Sequence, residues 1–466
     1  MTRKNFKKIF FNIVVADTAR DGRFIAQSEE KTIFFPNGIP EEIVDVEVRN
    51  RRDRFPEGVI SHFYKTSLHR CVPVCKNFDI CGGCPWMHIS YDHQLFLKRT
   101  FIEKIFRKAG IECEISSVIP SKKVLFYRNK LEYSFSDTRW FYKDEGKVVC
   151  MKDRLALGFH PSEKPNKVLD ISTCYMMGEF SDKICSVIKT FTTDRNYSYF
   201  SLKTRKGFLR NLVIRASVAG SLMLIIGFGE NFPEHIDELM CFIENKFPEI
   251  TCLGYRIYTD DSDKFNNPEI LIYNNKNSFF ENIGALKFRI SPDVFLQPNI
   301  LQAASLYEWI KDFAGFTGKE IVYDLYCGAG TISCFIAKKV KRVVGLEYSK
   351  EAIEDAKYNA EINCVSNAEF IECDIGKTFS PDFVKQHGSP DIIILDPPRS
   401  GVWKETLKNI IFTAPEKIIY VSCNPVSQVK DIVQLLHVYS IEKIQAFDMF
   451  PQTHHVENVV LMQKLK

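Results

Sequence analysis

Three short pieces near the C-terminus carry residue types that could do covalent chemistry. They are LDPPRSG (Leu395–Gly401), YVSCNP (Tyr420–Pro425) and FPQTHHVENVVLM (Phe450–Met462). Cys423 follows a predicted strand, and Glu457 lies in the third piece. A thiolate attacks electrophilic carbon and a carboxylate accepts a proton, so the pair suits covalent catalysis with proton removal. The attacking thiol must be partly ionised, so a lowered Cys423 pKa or assistance from a base is expected. The competing reading is a buried structural thiol. Ser-Cys-Asn-Pro at a strand end disfavours it.

The elements around these pieces indicate how they are held. From about residue 300, short apolar strands alternate with helices. A helix over 301–313 leads to strand EIVYDLY and a helix opening at 328–331. Strand RVVGLEY, a helix over 350–364, and strands AEFIECD and DIIILDPP follow. Then come a helix near 404–413, strand EKIIYVSC, a helix over 426–437, and strands IEKIQAFDMF and ENVVLMQKLK. This rhythm predicts an α/β, parallel, doubly wound Rossmann-like sheet. In VYDLYCGAGTIS, Gly328 and Gly330 allow a sharp turn and close approach of a ligand, while Ser333 stands where a dinucleotide site has its third Gly. Glu347 ends the next strand and can accept from both hydroxyls of a ribose, and Asp374 ends the third, where it could meet an adenine amine. Two strand-end acids with a short Gly turn suit S-adenosylmethionine better than a dinucleotide; a generic Rossmann domain with incidental acids is the alternative. In the DPPRSG loop, Arg399 stands where amino-methylases carry a stacking aromatic. Methylation of an exocyclic amine is therefore disfavoured, and methylation of a ring carbon needs a nucleophile such as Cys423.

The length of 466 residues implies two or three domains. Residues 1–65 alternate in short runs broken by Asp21-Gly22, Asn37-Gly38 and Ile39-Pro40, as expected of a small OB-like β-barrel. The basic stretch Arg49–Arg54 reads equally as a solvated hairpin or an RNA contact. The middle, about 124–285, is mixed α+β, with strands such as LFYRNKLEYSFS and helices near 180–192 and 234–246. A cysteine-rich insert precedes it, followed by a helix over 93–109. Cys71, Cys75, Cys81 and Cys84 are spaced C-x3-C-x5-C-x2-C, too tight between pairs for a zinc ribbon. The C-x3-C-x2-C of a radical S-adenosylmethionine site is also absent. The spacing alone leaves zinc, another metal or free thiols open. Fifteen cysteines without a secretion signal point to reduced thiols and a cytoplasmic setting. No apolar run reaches the length of a membrane helix. The net charge of +4 neither demands nor excludes nucleic acid.

In order along the chain, SPDVFLQPN, DLYCGAGT, GLEYS, DPPRSG, VSCNP and HHVEN resemble the RNA (uracil-5-)-methyltransferase family, most of all its 23S rRNA branch, which has a TRAM domain and an iron–sulfur cluster. The resemblance implies a TRAM/OB-like RNA-binding domain over 1–65, a central domain over 66–285 and a methyltransferase domain over 286–466. It implies that Cys423 adds to C6 of uracil, that Glu457 removes the C5 proton, and that Asp396 hydrogen-bonds the ring. Gln297, Tyr326, Gly328, Thr331, Glu347, Asp374 and Asp396 would line the S-adenosyl-L-methionine and base pocket, with Phe295 near a flipped base. Tyr326 also reads as a core aromatic. Cys75, Cys81, Cys84 and Cys174 would hold a [4Fe–4S] cluster, leaving Cys71 spare. Arg128, Lys130 and the run Lys203–Lys206 are candidates for RNA contact, and no obligate protein partner is evident. Competing readings are the same reaction on tRNA, RNA cytosine-5 methylation (against which the missing Thr-Cys motif argues), and a non-catalytic iron–sulfur RNA-binding protein.

Overall fold

A computed structural model describes residues 8–28, 31–48, 57–142, 145, 150–162, 164–258, 268–274, 276 and 279–466. The basic stretch Arg49–Arg54 lies outside the described residues. The N-terminal strands are β1 (Lys8–Thr18), β2 (Phe24–Gln27), β3 (Thr32–Phe35), β4 (Ile43–Val48) and β5 (Gly58–Lys65). They form an antiparallel sheet of order β3-β2-β1-β4-β5. A bridge between Phe34 and Glu57 draws the sheet edges together, as in a barrel near closure. Its apolar face buries Val15, Phe24, Ile33, Phe35, Val44 and Val46, and the same core takes in Trp86, Ile89 and Leu97. Trp86 and Ile89 follow the cysteine insert and Leu97 lies on α1 (Tyr91–Lys108), so the core extends beyond residue 65.

The central sheet contains β6 (Lys130–Ser136), β7 (Ala156–Phe159), β8 (Leu169–Asp170), β9 (Leu209–Ala216), β10 (Leu222–Phe228), β11 (Cys252–Ile257) and β12 (Leu271–Ile272). Its order is β12-β11-β10-β9-β6-β7-β8, with only β10 and β11 parallel. Helices α2 (Glu179–Asp194) and α3 (Pro233–Lys246) bury Ile184, Ile188, Leu239 and Ile243 in the same core as this sheet. The strand expected over LFYRNKLEYSFS begins only at Lys130. Before it, Phe126 sits at φ 55°, and the amides of Phe126 and Arg128 donate to Tyr175 and Met176 carbonyls at 2.7 and 2.9 Å. That stretch is pinned to the loop carrying Cys174 and is unavailable to the sheet.

A hairpin of β13 (Phe279–Ile283) and β14 (Leu286–Ile290) follows, then α4 (Ile300–Phe313). The 285/286 boundary falls in the hairpin turn. Phe279, Ile283, Phe288 and Ile290 all enter the core under the C-terminal sheet. That sheet is built from β15 (Ile321–Leu325), β16 (Arg342–Glu347), β17 (Ala368–Glu372), β18 (Ile392–Leu395), β19 (Lys417–Ser422), β20 (Tyr439–Phe447) and β21 (Glu457–Lys464). Its helices are α5 (Thr331–Ile336), α6 (Lys350–Ile362), α7 (Ile375–Thr378), α8 (Pro381–His387), α9 (Lys404–Thr413) and α10 (Pro425–Leu435). The order is β17-β16-β15-β18-β19-β21-β20. The first five strands are parallel and covered on both faces, which is why β18 reads as the unbroken apolar run IIIL. The sheet departs from the all-parallel expectation at its end: β21 runs antiparallel to both β19 and β20. No helix separates β20 from β21, so a parallel crossover cannot form between them. Helix starts follow local chemistry. Ser349 and Asn424 accept from the amides of Ala352 and Val426 at 3.3 and 3.2 Å, and Pro425 begins α10. Among the described residues, no helix is long and apolar enough to cross a membrane.

Candidate active site

The antiparallel β21 decides the geometry. Ser422 pairs with Asn458 across β19 and β21. The next opposed positions in an antiparallel ladder are Cys423 and Glu457. Thiol and carboxylate thus meet at the carboxyl ends of the parallel strands, where open α/β sheets bind ligands. Behind them, Gln428 on α10 donates to the Tyr420 and Asn458 carbonyls at 2.8 and 3.1 Å and accepts from the Asn458 side chain at 2.7 Å, which locks β19 to β21. Asn424 and Ser427 donate to the Arg399 carbonyl at 2.8 and 3.0 Å, so the DPPRSG loop is tied to the start of α10.

Glu457 is 1% exposed, and its Oε1 has no hydrogen-bond partner. Burial, then the charge of Asp396, holds its carboxyl well above the usual carboxylate range, with Arg399 opposing. Asp396, directly after β18, is pushed up to about 7 by burial and by Asp324, against a hydrogen bond from the Gln297 side chain. The Cys423 thiol is pushed up to about 11 by burial, then by Glu457 and Asp396; Arg399 is the one group opposing both effects. The expected lowered pKa is therefore not found. Removing water and setting a carboxylate beside a thiol both disfavour a second negative charge. A cavity of about 210 Å³ opens over Cys423 and is lined by Arg20, Phe101, Arg399, Asn424, His454 and His455. Burial, and the charge of Lys98, holds His454 down at about 4. Burial, and the charge of His454, holds His455 down at about 3.

Gln297 reaches Asp396 because the central sheet grips the loop before α4. Asn129 donates to the carbonyls of Gln297 and Pro298 at 2.9 Å each, Arg215 donates to that of Val294 at 2.8 Å, and Arg256 pairs with Asp293 at 2.6 Å. Phe295 is on this loop, 69% exposed.

At the cofactor end, Tyr326 and Gly328 take φ of 69° and 52° to turn out of β15. The amide of Gly328 donates to Glu347 Oε2 at 3.2 Å, and Glu347 Oε1 accepts from the amides of Tyr348 and Ser349 at 2.8 and 3.0 Å. A Cβ on Gly328 would meet open space, whereas one on Gly330 would lie 2.9 Å from Phe370. The turn thus faces room for a ligand on one side and closes on the core at the other. The Tyr326 side chain packs with the core beside Trp403 and Thr406, so only its backbone shapes the turn. The Thr331 hydroxyl is within 3.2 Å of the buried Tyr307 hydroxyl. Asp374 caps α7 by accepting from the Gly376 amide at 3.1 Å and pairs with Lys377 at 3.1 Å.

The sequence model of the tRNA (uracil-5-)-methyltransferase family matches residues 282–465. An uncharacterized RNA methyltransferase of Bacteroides thetaiotaomicron is 40% identical, over 96% of this chain and 99% of its own. The chain belongs to the RNA (uracil-5-)-methyltransferase family. An uncharacterized RNA methyltransferase of Thermotoga maritima is 33% identical, over 94% of this chain and 95% of its own. The crystal structure of Pyrococcus abyssi tRNA (uracil-54, C5)-methyltransferase in complex with S-adenosyl-L-homocysteine matches at a TM-score of 0.75 and 27% identity, covering 96% of this chain and 99% of that one. The protein is accordingly an S-adenosylmethionine-dependent RNA uracil-C5 methyltransferase, and the Gly turn with its strand-end acids fits that cofactor.

In this methyltransferase Cys75, Cys81, Cys84 and Cys174 line one cavity of about 470 Å³, and Cys71 lies outside it. Among the described residues, no three His, Cys, Asp or Glu side chains converge as a single-ion site would require. All fifteen cysteines are free. Burial pushes the Cys174 thiol up to about 11, with neighbouring thiols adding to it, and raises that of Cys84 further. Arg128 and Lys130, read from the sequence as RNA contacts, line this cavity too, because they precede and open β6 beside the Cys174 loop. The run Lys203–Lys206 forms an exposed turn on the central sheet. In the sequence, Arg399 shows only as the absence of an aromatic. Its conjunction with a nearby thiol and acid is a long-range fact that no local spacing reveals.

Proposed function

We propose that the enzyme makes 5-methyluridine in 23S rRNA, with Cys423 as nucleophile and Glu457 as base. The opposed register of Cys423 and Glu457 carries this reading. Bound S-adenosylmethionine supplies the methyl group. The Cys423 thiol gives up its proton to water, its sulfur bonds to C6 of the uracil, and the ring electrons move to C5 and O4. Asp396, held up to about 7, can keep a proton near neutrality and donate to O4, where charge builds. Once C5 carries the methyl, Glu457 takes the C5 proton, and the electrons of that bond expel the Cys423 thiolate. A raised pKa makes a carboxylate a stronger base, which suits Glu457 to this step. Arg399 is the cation that offsets charge on Cys423 during attack and release. Glu347 would hold the cofactor ribose and the turn at Gly328 its amino-acid end.

A [4Fe–4S] cluster on Cys75, Cys81, Cys84 and Cys174 belongs to this reading. Their shared cavity supports it, since four thiolates around a cluster stand further apart than around one ion, and Arg128 and Lys130 would offset their charge. Methyl transfer needs no electron, so the cluster's role is structural or RNA-facing. Stoichiometric iron in the purified protein fits this assignment, and stoichiometric zinc removes it. The cytoplasm, which keeps thiols reduced, is the fitting compartment.

The cysteine insert and the N-terminal β module favour 23S rRNA. The tRNA reading has its own support, because the solved relative covering 96% of this chain acts on tRNA. Mapping 5-methyluridine in 23S rRNA and tRNA from cells with and without the gene separates the two. Loss from 23S rRNA is expected; loss confined to tRNA selects the second reading.

A further inference from the structure

A second cavity, of about 400 Å³, continues the one over Cys423. The two share Arg20, Phe101 and Val426. The second runs outward between the β1–β2 turn on one wall and α1 on the other, reaching Lys104 and Lys108. Together they make a groove from the nucleophile to the surface.

The walls of this groove are fixed. Gly22, at φ 81° in the β1–β2 turn, lies so close to the His454 ring that a Cβ there would sit 2.3 Å from it. The Trp86 indole donates to the Gly22 carbonyl at 2.9 Å. Lys104 and Asp17 join the two walls at 2.5 Å. The turn that carries Arg20 is thus seated on the loop leading to Glu457.

The charges along the groove do not cancel. Its acids are already paired, Asp17 with Lys104 and Asp21 with Arg23 at 2.7 Å. Arg20 and Lys108 are exposed and have no acidic partner among the described residues. Arg399 adds a third cation at the inner end. Phe101, half-buried where the two cavities join, offers an aromatic face. Cations spaced along a groove with an aromatic platform are the features that hold single-stranded nucleic acid. A uridine presented to Cys423 must be unpaired and unstacked, so its neighbours also arrive as a single strand.

We propose that this groove is the track of the RNA strand flanking the target uridine, with Arg20 and Lys108 on its phosphates and Phe101 against a neighbouring base. Arg20 and Lys108 are then positioning residues, and the N-terminal module forms part of the active-site rim. The proposal rests on uracil methylation as the reaction, but its test does not. Binding of a labelled oligouridylate of about ten nucleotides is measured over a salt series with wild type, Arg20→Ala, Lys108→Ala, the double variant, Arg20→Lys and Phe101→Leu. Each lost cation is expected to weaken binding about tenfold and to flatten the log–log salt slope by about 0.7. Arg20→Lys retains most of the affinity, and Phe101→Leu weakens binding without changing the slope. In turnover, KM for RNA rises more than kcat falls, and S-adenosylmethionine affinity by calorimetry is unchanged. A double variant with wild-type affinity and wild-type slope overturns the proposal. A wild type that transfers no methyl to uridine would overturn the reaction instead, and the binding series would still judge the groove.

Discussion

Replacing Glu457 by Gln keeps the shape of the side chain and removes its charge and basicity. Two effects follow from its position opposite Cys423, and they differ in sign. Proton removal from C5 loses its base, for which a cost of about 10²- to 10⁴-fold in turnover is expected, or roughly 3 to 5 kcal/mol of barrier. Because this step comes after the carbon–sulfur bond forms, the enzyme should stall with RNA attached to Cys423. A denaturant-resistant protein–RNA band carrying label from the methyl group should accumulate to nearly one per enzyme. The second effect is on the resting thiol. After burial, the charge of Glu457 is the largest influence raising Cys423 toward about 11. A neutral amide removes it, so the thiolate forms at lower pH. Alkylation of Cys423 by iodoacetamide, followed by mass spectrometry, should then show a pH midpoint below that of wild type. Turnover within tenfold of wild type, or an alkylation midpoint that moves upward, would falsify the reasoning.

Further expectations follow from other parts of the site. Lys98 and Asp448 form a 2.6 Å pair with both side chains fully buried, and Lys98 also donates to the Phe450 carbonyl. Lys98→Met strands a buried carboxylate and should cost about 3–5 kcal/mol in denaturant unfolding, while adding Asp448→Leu should restore most of it; equal losses in single and double variants would count against this. Arg399→Gln removes the cation that opposes burial at Cys423, so thiol alkylation should shift to higher pH; an unchanged profile would exclude that role. Burial raises Asp324 to about 7, above its unfolded value near 4. Its contribution is fully present below pH about 4 and is lost as pH rises through about 7. Asp324→Asn should flatten the stability profile in that window, as measured by thermal unfolding.

Local chemistry made much of this molecule legible in sequence. Apolar strands alternating with capped helices foretold the α/β sheet, because both periodicity and caps act over a few residues. Short α7 and α8, capped by Asp374 and Ser380, are not legible in the sequence because one or two turns show no periodicity. The strand expected through Phe126 failed because its amides are taken by a loop some fifty residues away.

Residue types in the sequence determined the chemistry available: a thiol, acids, a Gly turn and a cysteine set, with motifs that match a known family. Tertiary structure alone decided how they combine. An antiparallel β21 brings Glu457 to Cys423, where a parallel strand would have carried it to the far end of the sheet. The central sheet delivers Gln297 to Asp396, and the β1–β2 turn delivers Arg20 to the mouth of the pocket. Burial and crowding of like charges then turned an expected low thiol pKa into a high one. Strand register and desolvation depend on segments hundreds of residues apart packing together, and no short window of sequence contains that information.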